Sequence, residues 1–308
     1  MTLLPHTSSQ SIQIRQSVGM AVSPQGMRVH ERLNLPDCTV SLPMLKFALA
    51  SAPEGFTASV TGSHLELSAP GFSTKIPLLV EPEFPPAETH ARVFTLDCEF
   101  IKRLSACCSP KEPTREILEY VQIKNGHAAA SNGRMFVMST GLPDCELEIH
   151  RSHLSFIGDG ERTVSVSDKS VCVQDELGAF WFPRPVVGMD LVEGCRKLDQ
   201  HVSGFSAAVK TEDIITAVRT ASQIVEKIEV RFLTDGIQIH TPDNSAYFSQ
   251  RIVAKPSGTA EACVNPKYLL ACLQAVGEEF VDLFISKHGS IAVKGQKAHA
   301  VCMGMRKY

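Results

Sequence analysis

The sequence lacks the local motifs by which most catalytic and nucleotide-binding proteins are identified. It contains no GxxxxGK[ST] loop to hold phosphates, no GxGxxG after a strand and no GxSxG turn. Adjacent carboxylates, such as Asp175-Glu176 and Glu278-Glu279, fall at hairpin or helix ends, where solvated charges are usual. We therefore predict a protein that is not an enzyme, with no catalytic residues and no cofactor.

Membrane and export signals are also missing. No apolar run reaches the roughly 18 residues that a membrane helix needs. The first twelve residues contain no basic segment followed by an apolar one. The 308-residue chain is 44% hydrophobic with a net charge of −3, so it is neither disordered nor basic over its whole surface. We expect a cytoplasmic protein of two or three domains that has no contact with a membrane.

The cysteines lack any regular framework. There is no Cys-x-x-Cys pair and no HExxH helix, so no metal site is predicted. Without an export signal, scattered cysteines are expected to be small buried apolar side chains in a reducing compartment. The ten positions are Cys38, Cys98, Cys107, Cys108, Cys145, Cys172, Cys195, Cys263, Cys272 and Cys302.

What the chain does contain is an internal repeat. Five times, a short strand runs directly into an amphipathic helix, and the junctions follow one another at intervals of 53 to 60 residues. At four junctions one of the next two residues has a side chain that can cap the first helical turn. The strand ends are Val40, Leu96, Ile149, Val209 and Val264, and the capping residues are Ser41, Asp97, Thr211 and Asn265.

The segments between these helices predict antiparallel strands. Turn signals such as Asn125-Gly126 separate short runs of alternating apolar residues. Two half-units of about 55 residues make a domain of ordinary size. We predict an α+β fold with helices packed on antiparallel sheets in three tandem domains, and linkers near 81–88 and 188–200. The domains would span residues 1–90, 91–198 and 199–308, and the first is incomplete, because a strand and a helix are missing before its strands.

The predicted helices carry cations on their polar faces, whereas acidic residues concentrate in linkers and turns. Each cation alone is most simply a solvated charge, and Glu99, Glu212 and Asp213 lie in the same helices. If equivalent helices line a pseudo-symmetric ring, however, their cations point inward and contact phosphates without reading sequence. The candidate DNA-facing residues are Lys46, Lys102, Arg103, Arg151, Lys210, Arg219 and Lys267.

Three segments resemble the bacterial DNA sliding clamp, the beta subunit of DNA polymerase III. They are 129–137 (AASNGRMFV), 264–270 (VNPKYLL) and 301–306 (VCMGMR). The resemblance covers the second and third domains and the latter part of the first. It implies a ring-shaped homodimer that encircles double-stranded DNA independently of sequence. Such a processivity factor acts topologically in DNA replication and tethers the DNA polymerase and the clamp loader through short peptide motifs.

The resemblance also implies two sites. The subunit interface would join residues 45–52 and 72–76 to third-domain residues 215–231. A pocket for partner peptides would use Leu118, Ser131, Gly133, Arg134, Met135, Phe136, Val192, Arg196, Val301, Met303 and Met305. Methionines beside apolar residues make an adaptable surface that several peptides can share. From the residues alone, ordinary packing of a last strand is the favoured interpretation of Met303 and Met305.

The chain departs from the family pattern at several places. Gly304 replaces a proline, Asn132 an aspartate, Arg134 a histidine and Met135 an arginine. Glu116 and Ile117 replace the tyrosines of a loop that contacts DNA. The alternative function is a clamp-fold protein that does not close on DNA and acts as a partner-binding scaffold or competitor.

Overall fold

The computed structural model describes residues 11–23, 26–30, 32–80, 92–111, 114–175, 178–185, 188–199, 203–242 and 247–306. Its first elements are β1 (Ser11–Arg15), β2 (Val18–Ser23), β3 (Gly26–His30), β4 (Cys38–Ser41), α1 (Leu42–Ser51), β5 (Thr57–Thr61), β6 (His64–Ala69) and β7 (Phe72–Pro77). Next come β8 (Arg92–Asp97), α2 (Cys98–Leu104), β9 (Tyr120–Lys124), β10 (His127–Ser131), β11 (Met135–Thr140), β12 (Leu147–His150), α3 (Arg151–Leu154), β13 (Glu161–Val166), β14 (Ser170–Asp175) and β15 (Gly178–Pro183). The last are α4 (Leu191–Asp199), β16 (Gly204–Lys210), α5 (Thr211–Ser222), β17 (Ile228–Leu233), β18 (Gly236–His240), β19 (Ser249–Ile252), β20 (Ala260–Val264), α6 (Pro266–Val276), β21 (Phe280–Ser286), β22 (Ile291–Lys294) and β23 (Ala298–Cys302).

All five predicted strand–helix junctions are present. β4, β8, β12, β16 and β20 each end where a helix begins. α6 shows why: the Asn265 side chain accepts a hydrogen bond from the N–H of Lys267, Pro266 occupies the first turn, and Gly277 ends the helix with φ +63°. Between these ends the helix buries Leu269, Cys272, Leu273 and Val276. This i, i+3, i+4, i+7 spacing directs one apolar stripe onto the sheet.

The strand order repeats as well. One eight-stranded sheet has the order β4-β1-β2-β3-β15-β14-β13-β8 and another has β12-β9-β10-β11-β23-β22-β21-β16. A four-stranded sheet, β19-β18-β17-β20, and a three-stranded sheet, β5-β6-β7, complete the described strands. Every pairing in these sheets is antiparallel, so the α+β fold class with helices on antiparallel sheets is confirmed.

The contacts divide the chain into two compact units. Unit 1 comprises residues 1–98 and 152–185, and unit 2 comprises residues 99–151 and 186–308. These limits differ from the predicted domain limits because each eight-stranded sheet continues from one predicted domain into the next, through the β3–β15 pairing and the β11–β23 pairing. The division into 1–90, 91–198 and 199–308 stays a prediction, and the linker at 81–88 lies outside the described residues.

Three local details differ from the prediction. The segment 188–200, interpreted as a linker, contains α4. α3 has only four residues, because Gly158 and Gly160 follow it closely and β13 begins at Glu161. Thr211 is the first residue of α5 and not its cap: Lys210 is in the capping position, and no side chain there bonds to the helix.

Candidate functional site

The turn between β10 and β11 in unit 2 is held by its own side chains. Ser131 Oγ donates to the carbonyl of Met135 (2.8 Å) and accepts from the N–H of Gly133 (3.0 Å). Asn132 Oδ1 accepts from the N–H groups of Arg134 (2.9 Å) and Met135 (3.0 Å), so an amide oxygen is sufficient to hold this turn. Gly133 has φ +80°, a conformation that strains residues with a side chain.

The end of the chain runs beside this turn. β23 pairs with β11, and Phe136 lies opposite Val301. After the strand ends, the N–H of Met303 donates to the carbonyl of Arg134 (3.0 Å), which ties the tail to the turn. The side chain of Met303 is nevertheless 45% exposed. A methionine fixed by its backbone and free at its thioether is suited to contacting an apolar partner.

Beyond Met303 the tail leaves the turn. The N–H of Met305 donates to the carbonyl of Cys263 in β20 (2.7 Å), and the Met305 side chain is partly buried. A Cβ atom at Gly304 would clash with the carbonyl oxygen of Gly289 in the β21–β22 turn. Glycine at position 304 is therefore a requirement of this local packing.

Sequence reasoning missed α4 and the residue that positions it. Gln122, on β9, is 3% exposed, and its Oε1 accepts from the N–H groups of Leu191 (2.7 Å) and Val192 (3.1 Å). Its Nε2 donates to the carbonyl of Met189 and to Glu148 Oε1, both at 3.3 Å. A buried side chain of the sheet thus satisfies N–H groups that a helix start leaves without partners. No sequence signal singles out Gln122.

A second set of contacts at the start of α4 could have been predicted from the sequence. Asp190 Oδ1 accepts from the N–H of Glu193 (2.8 Å), so the D-x-x-E pattern marks the beginning of α4. Lys124 Nζ lies 2.8 Å from Asp190 Oδ2. Partial burial raises the pKa of Asp190, but the hydrogen bonds from Lys124 and from the Glu193 backbone outweigh it and leave the pKa below its ordinary value. The hydrogen bond to Asp190 also raises the pKa of Lys124.

Four of the eleven predicted pocket residues lie in one buried apolar cluster: Leu118, Phe136, Val192 and Val301. Ser131 and Met135 are also buried, and they belong to the turn and to β11. Gly133, Arg134 and Arg196 are exposed, and Arg196 forms an ion pair with Glu193 (2.7 Å). The prediction omitted other members of the same cluster, namely Ile117, Tyr120, Ala129, Met138, Leu191, Cys195 and Ala292.

Glu116 and Ile117, the two positions expected in a DNA-contacting loop, both have local structural roles. Ile117 is buried in this apolar cluster. Glu116 is exposed, and its carboxylate accepts a hydrogen bond from the hydroxyl of Tyr120 (3.1 Å). These two positions therefore contribute to packing and to a local hydrogen bond.

The predicted DNA-facing cations differ in their surroundings. Lys46, on α1 of unit 1, is half-buried, and burial lowers its pKa. Arg103 lies over the ring of Phe100 (5.4 Å) and donates to the carbonyl of Gly277 (3.3 Å), where it neutralises the negative end of α6. Lys102 is partly buried, and Arg151, Lys210, Arg219 and Lys267 are exposed.

Three of the exposed cations form no ion pair with a described residue. Lys210 lies 3.3 Å from Glu212, whereas Arg151, Arg219 and Lys267 pair with no acidic residue that the structure describes. Arg219 and Lys210 line a groove of about 440 Å³ between α5 and the end of α6, and its lining also includes Glu212, Glu278 and Glu279. Of the seven candidates, Arg151, Arg219 and Lys267 are therefore the exposed cations that no described acidic residue pairs with.

The cysteines are free thiols, and all ten are buried, which confirms their predicted role as apolar side chains. Burial raises the pKa of Cys195 and of Cys302 to about 12. The described part of the chain contains no cluster of three or more side chains able to hold a metal ion. None of its helices has the length and hydrophobicity that crossing a membrane requires.

Solved structures of similar architecture identify the fold. The DNA polymerase III subunit beta from Pseudomonas aeruginosa is 15% identical, with a TM-score of 0.77 over 97% of this chain and 93% of its own. A putative DNA polymerase III beta subunit from Eubacterium rectale is 11% identical, with a TM-score of 0.81 over 99% and 94%. The chain has the fold of the bacterial DNA sliding clamps. The Helicobacter pylori beta clamp bound to a DNA ligase peptide is likewise similar, at 11% identity and a TM-score of 0.78 over 98% and 93%.

The match is one of fold. No protein-family model and no curated protein matches the sequence. The three structures match the fold of nearly the whole chain at 11 to 15% sequence identity. At this identity the roles of side chains do not follow from the fold and depend on the residues of this chain.

Proposed function

We propose that the protein is a DNA sliding clamp, a non-catalytic processivity factor that closes around duplex DNA as a homodimer. Its partners would be the DNA polymerase and the clamp loader, in the cytoplasm. The clamp fold supports this proposal, and the pattern of open strand edges carries it.

The open edges are complementary. In each eight-stranded sheet, the last strand of the first half-unit of one predicted domain joins the last strand of the second half-unit of the next predicted domain, β3 to β15 and β11 to β23. By the repeat, β19 and β7 are the equivalent of such a pair, yet each ends its own sheet among the described strands. Pairing β19 of one copy with β7 of a second copy, twice, would repeat the same joint and close a ring.

Side chains near these edges fit an interface between copies. Ile224, within the predicted segment 215–231, is 50% exposed, and Phe72 begins the edge strand β7. An isoleucine half-exposed just after α5 is expected to be covered when the ring closes.

The cations support contact with DNA. Arg219 and Lys267 are exposed on α5 and α6, the helices that would line the central hole of the proposed ring. Their contacts would be to phosphates, so the ring would hold any duplex and slide along it.

The turn between β10 and β11, the start of α4 and the residues after β23 form the proposed partner surface. Its buried floor is the cluster around Phe136 and Val301, and Met303 is its exposed apolar side chain. A DNA ligase peptide is bound by the Helicobacter pylori clamp, which has the same fold. A partner would insert apolar side chains beside Met303 and gain affinity by their burial.

The decisive experiment measures retention on DNA. The protein is loaded onto a nicked circular plasmid and isolated by gel filtration, and half of the complex is then cut once by a restriction enzyme. We expect the protein to remain on the circle and to leave the linear DNA, because only a closed ring is held topologically. Equal retention on both forms, or a native monomer that never remains on the circle, would contradict the clamp and favour a scaffold or competitor that does not close on DNA.

A further inference from the structure

β5 forms an open edge of its sheet in unit 1. At the equivalent position of two other half-units, the strand is paired on both sides. After each of α1, α3 and α6, three antiparallel strands follow, and their first members are β5, β13 and β21. β13 pairs on its outer side with β8, and β21 pairs with β16. Among the described strands, β5 pairs only with β6.

The exposure of side chains agrees with the absence of a described strand on this side of β5. Val60 on β5 lies opposite Leu65, which is buried in the core of unit 1, so both point to the helix side of the sheet. Yet Val60 is 41% exposed, whereas Val164 on β13 and Leu283 on β21 are 0% and 1% exposed. Val164 and Leu283 lie on strands that are paired on both sides, whereas the described strands pair β5 on one side only.

The helix layer has the matching gap. In unit 2, α5 follows β16 and packs against α6, and Leu273 of α6 is fully buried. Counted from the capping residues Ser41 and Asn265, Leu49 of α1 holds the position of Leu273, and it is only partly buried. A helix beside α1 would complete its burial.

The edge itself carries no protection against pairing. Its sequence, Thr57-Ala-Ser-Val-Thr61, contains no charge and no proline, the usual means of blocking an edge strand. An uncharged, exposed strand is a template for a strand supplied by another polypeptide.

We propose that the open half-site, formed by the β5 edge (Thr57–Thr61) and the side of α1 at Leu49, binds a partner protein through a strand that runs directly into an amphipathic helix. The strand pairs antiparallel with β5, and the helix lies beside α1 and covers Val60. The two filled equivalents in this chain have this form: β8 leads into α2, and β16 leads into α5.

The chemistry of the occupant follows from the same comparison. Alternate strand residues are apolar, as Ala207 and Val209 are in β16, and the helix buries residues spaced like Ile214, Ala217, Val218 and Ala221 of α5. Lys46 on α1 favours an acidic residue early in that helix, as α5 has at Glu212 and Asp213. This partner site is independent of ring closure and of the Met303 surface.

The test uses the full chain and a fluorescent peptide of residues 204–222, which is the occupant of the equivalent site in unit 2. We expect the peptide to bind and to slow amide hydrogen exchange in Thr57–Thr61. Val60→Lys directs a charge into the half-site and should weaken binding at least tenfold. Ser59→Lys on the opposite face of the same strand is the matched control and should leave binding unchanged.

Three results would overturn the proposal. The first is slow exchange of the β5 amides in the free protein, because the edge is then already paired. The second is no binding, or binding that Val60→Lys leaves unchanged. The third is a concentration-dependent rise in native mass that Val60→Lys abolishes, because the occupant is then a second copy of this chain. Since hydrogen exchange is read on the wild-type protein, the test does not depend on the stability of a variant.

Discussion

At the scale of single residues, the methionines after β23 are the most informative. Met303 is held by its backbone and exposed at its side chain, so it offers apolar contact without supporting the core. Its side chain is therefore separable, by mutation, from the stability of the fold.

Met303→Ala should weaken binding of the DNA ligase peptide of the Helicobacter pylori clamp complex by about five- to thirtyfold, since about 1–2 kcal/mol of apolar contact is lost. Fluorescence anisotropy measures the affinity, and thermal unfolding should be nearly unchanged. Met44→Ala is the matched control, because Met44 is 46% exposed but lies on α1 of unit 1. Equal affinities of the two variants would remove Met303 from the partner surface.

His299 on β23 makes the stability depend on pH. Burial lowers its pKa, Asp199 at 3.4 Å opposes this, and Lys294 and His127 add to the lowering. Because the folded-state pKa lies below the ordinary value of 6.5, the unfolded chain binds the proton more readily. The contribution of the neutral ring is complete above about pH 6.5 and is lost as the pH falls below it.

His299→Gln should therefore reduce the loss of unfolding free energy between pH 7 and pH 5. Urea denaturation at both pH values measures this difference. His288→Gln, on the exposed turn between β21 and β22, is the control and should retain the wild-type dependence. If His299→Gln loses as much stability as the wild type, His299 is not the group responsible.

At the scale of elements, α4 depends on a side chain from β9. Gln122→Leu leaves the N–H groups of Leu191 and Val192 buried without an acceptor, and each unsatisfied group costs about 1–3 kcal/mol. We expect the unfolding free energy to fall by about 2–4 kcal/mol, measured by urea denaturation. Gln238→Leu, which removes an exposed hydrogen bond to Ser249, should cost less than about 1 kcal/mol. Similar costs for the two variants would show that Gln122 does not hold the helix.

Local sequence determines these elements unequally. Ser41 and Asn265 cap α1 and α6 with their own side chains, so both helix starts were predictable. The prediction of a linker at 188–200 was wrong, since the segment contains α4, whose start Asp190 and Glu193 mark with a capping signal. Gln122 could not have been found, since it lies about 70 residues from the helix that it caps.

At the scale of the whole molecule, the proposed ring depends on apolar contact between copies. Ile224→Asp should convert a dimer of about twice 33.6 kDa into a monomer, because a charge at a closed interface cannot be solvated. Light scattering coupled to gel filtration measures the native mass. Phe280→Asp is the control, since Phe280 is 62% exposed but lies outside the predicted interface segments. A variant at Ile224 that stays dimeric would exclude this segment from the interface.

The sequence by itself determined the five strand–helix junctions, the antiparallel strands between them and the apolar role of the cysteines. Capping, periodicity and turns act over a few residues, so these features can be read locally. Only the tertiary structure decided that the sheets join through β3 with β15 and β11 with β23, and that the β5 edge is open. It also placed the guanidinium of Arg103 on the carbonyl of Gly277 at the end of α6. Because this contact joins residues far apart in the chain, the sequence alone did not distinguish Arg103 from Arg219. Pairings and burial between residues far apart in the chain depend on the whole fold, and no local pattern records them.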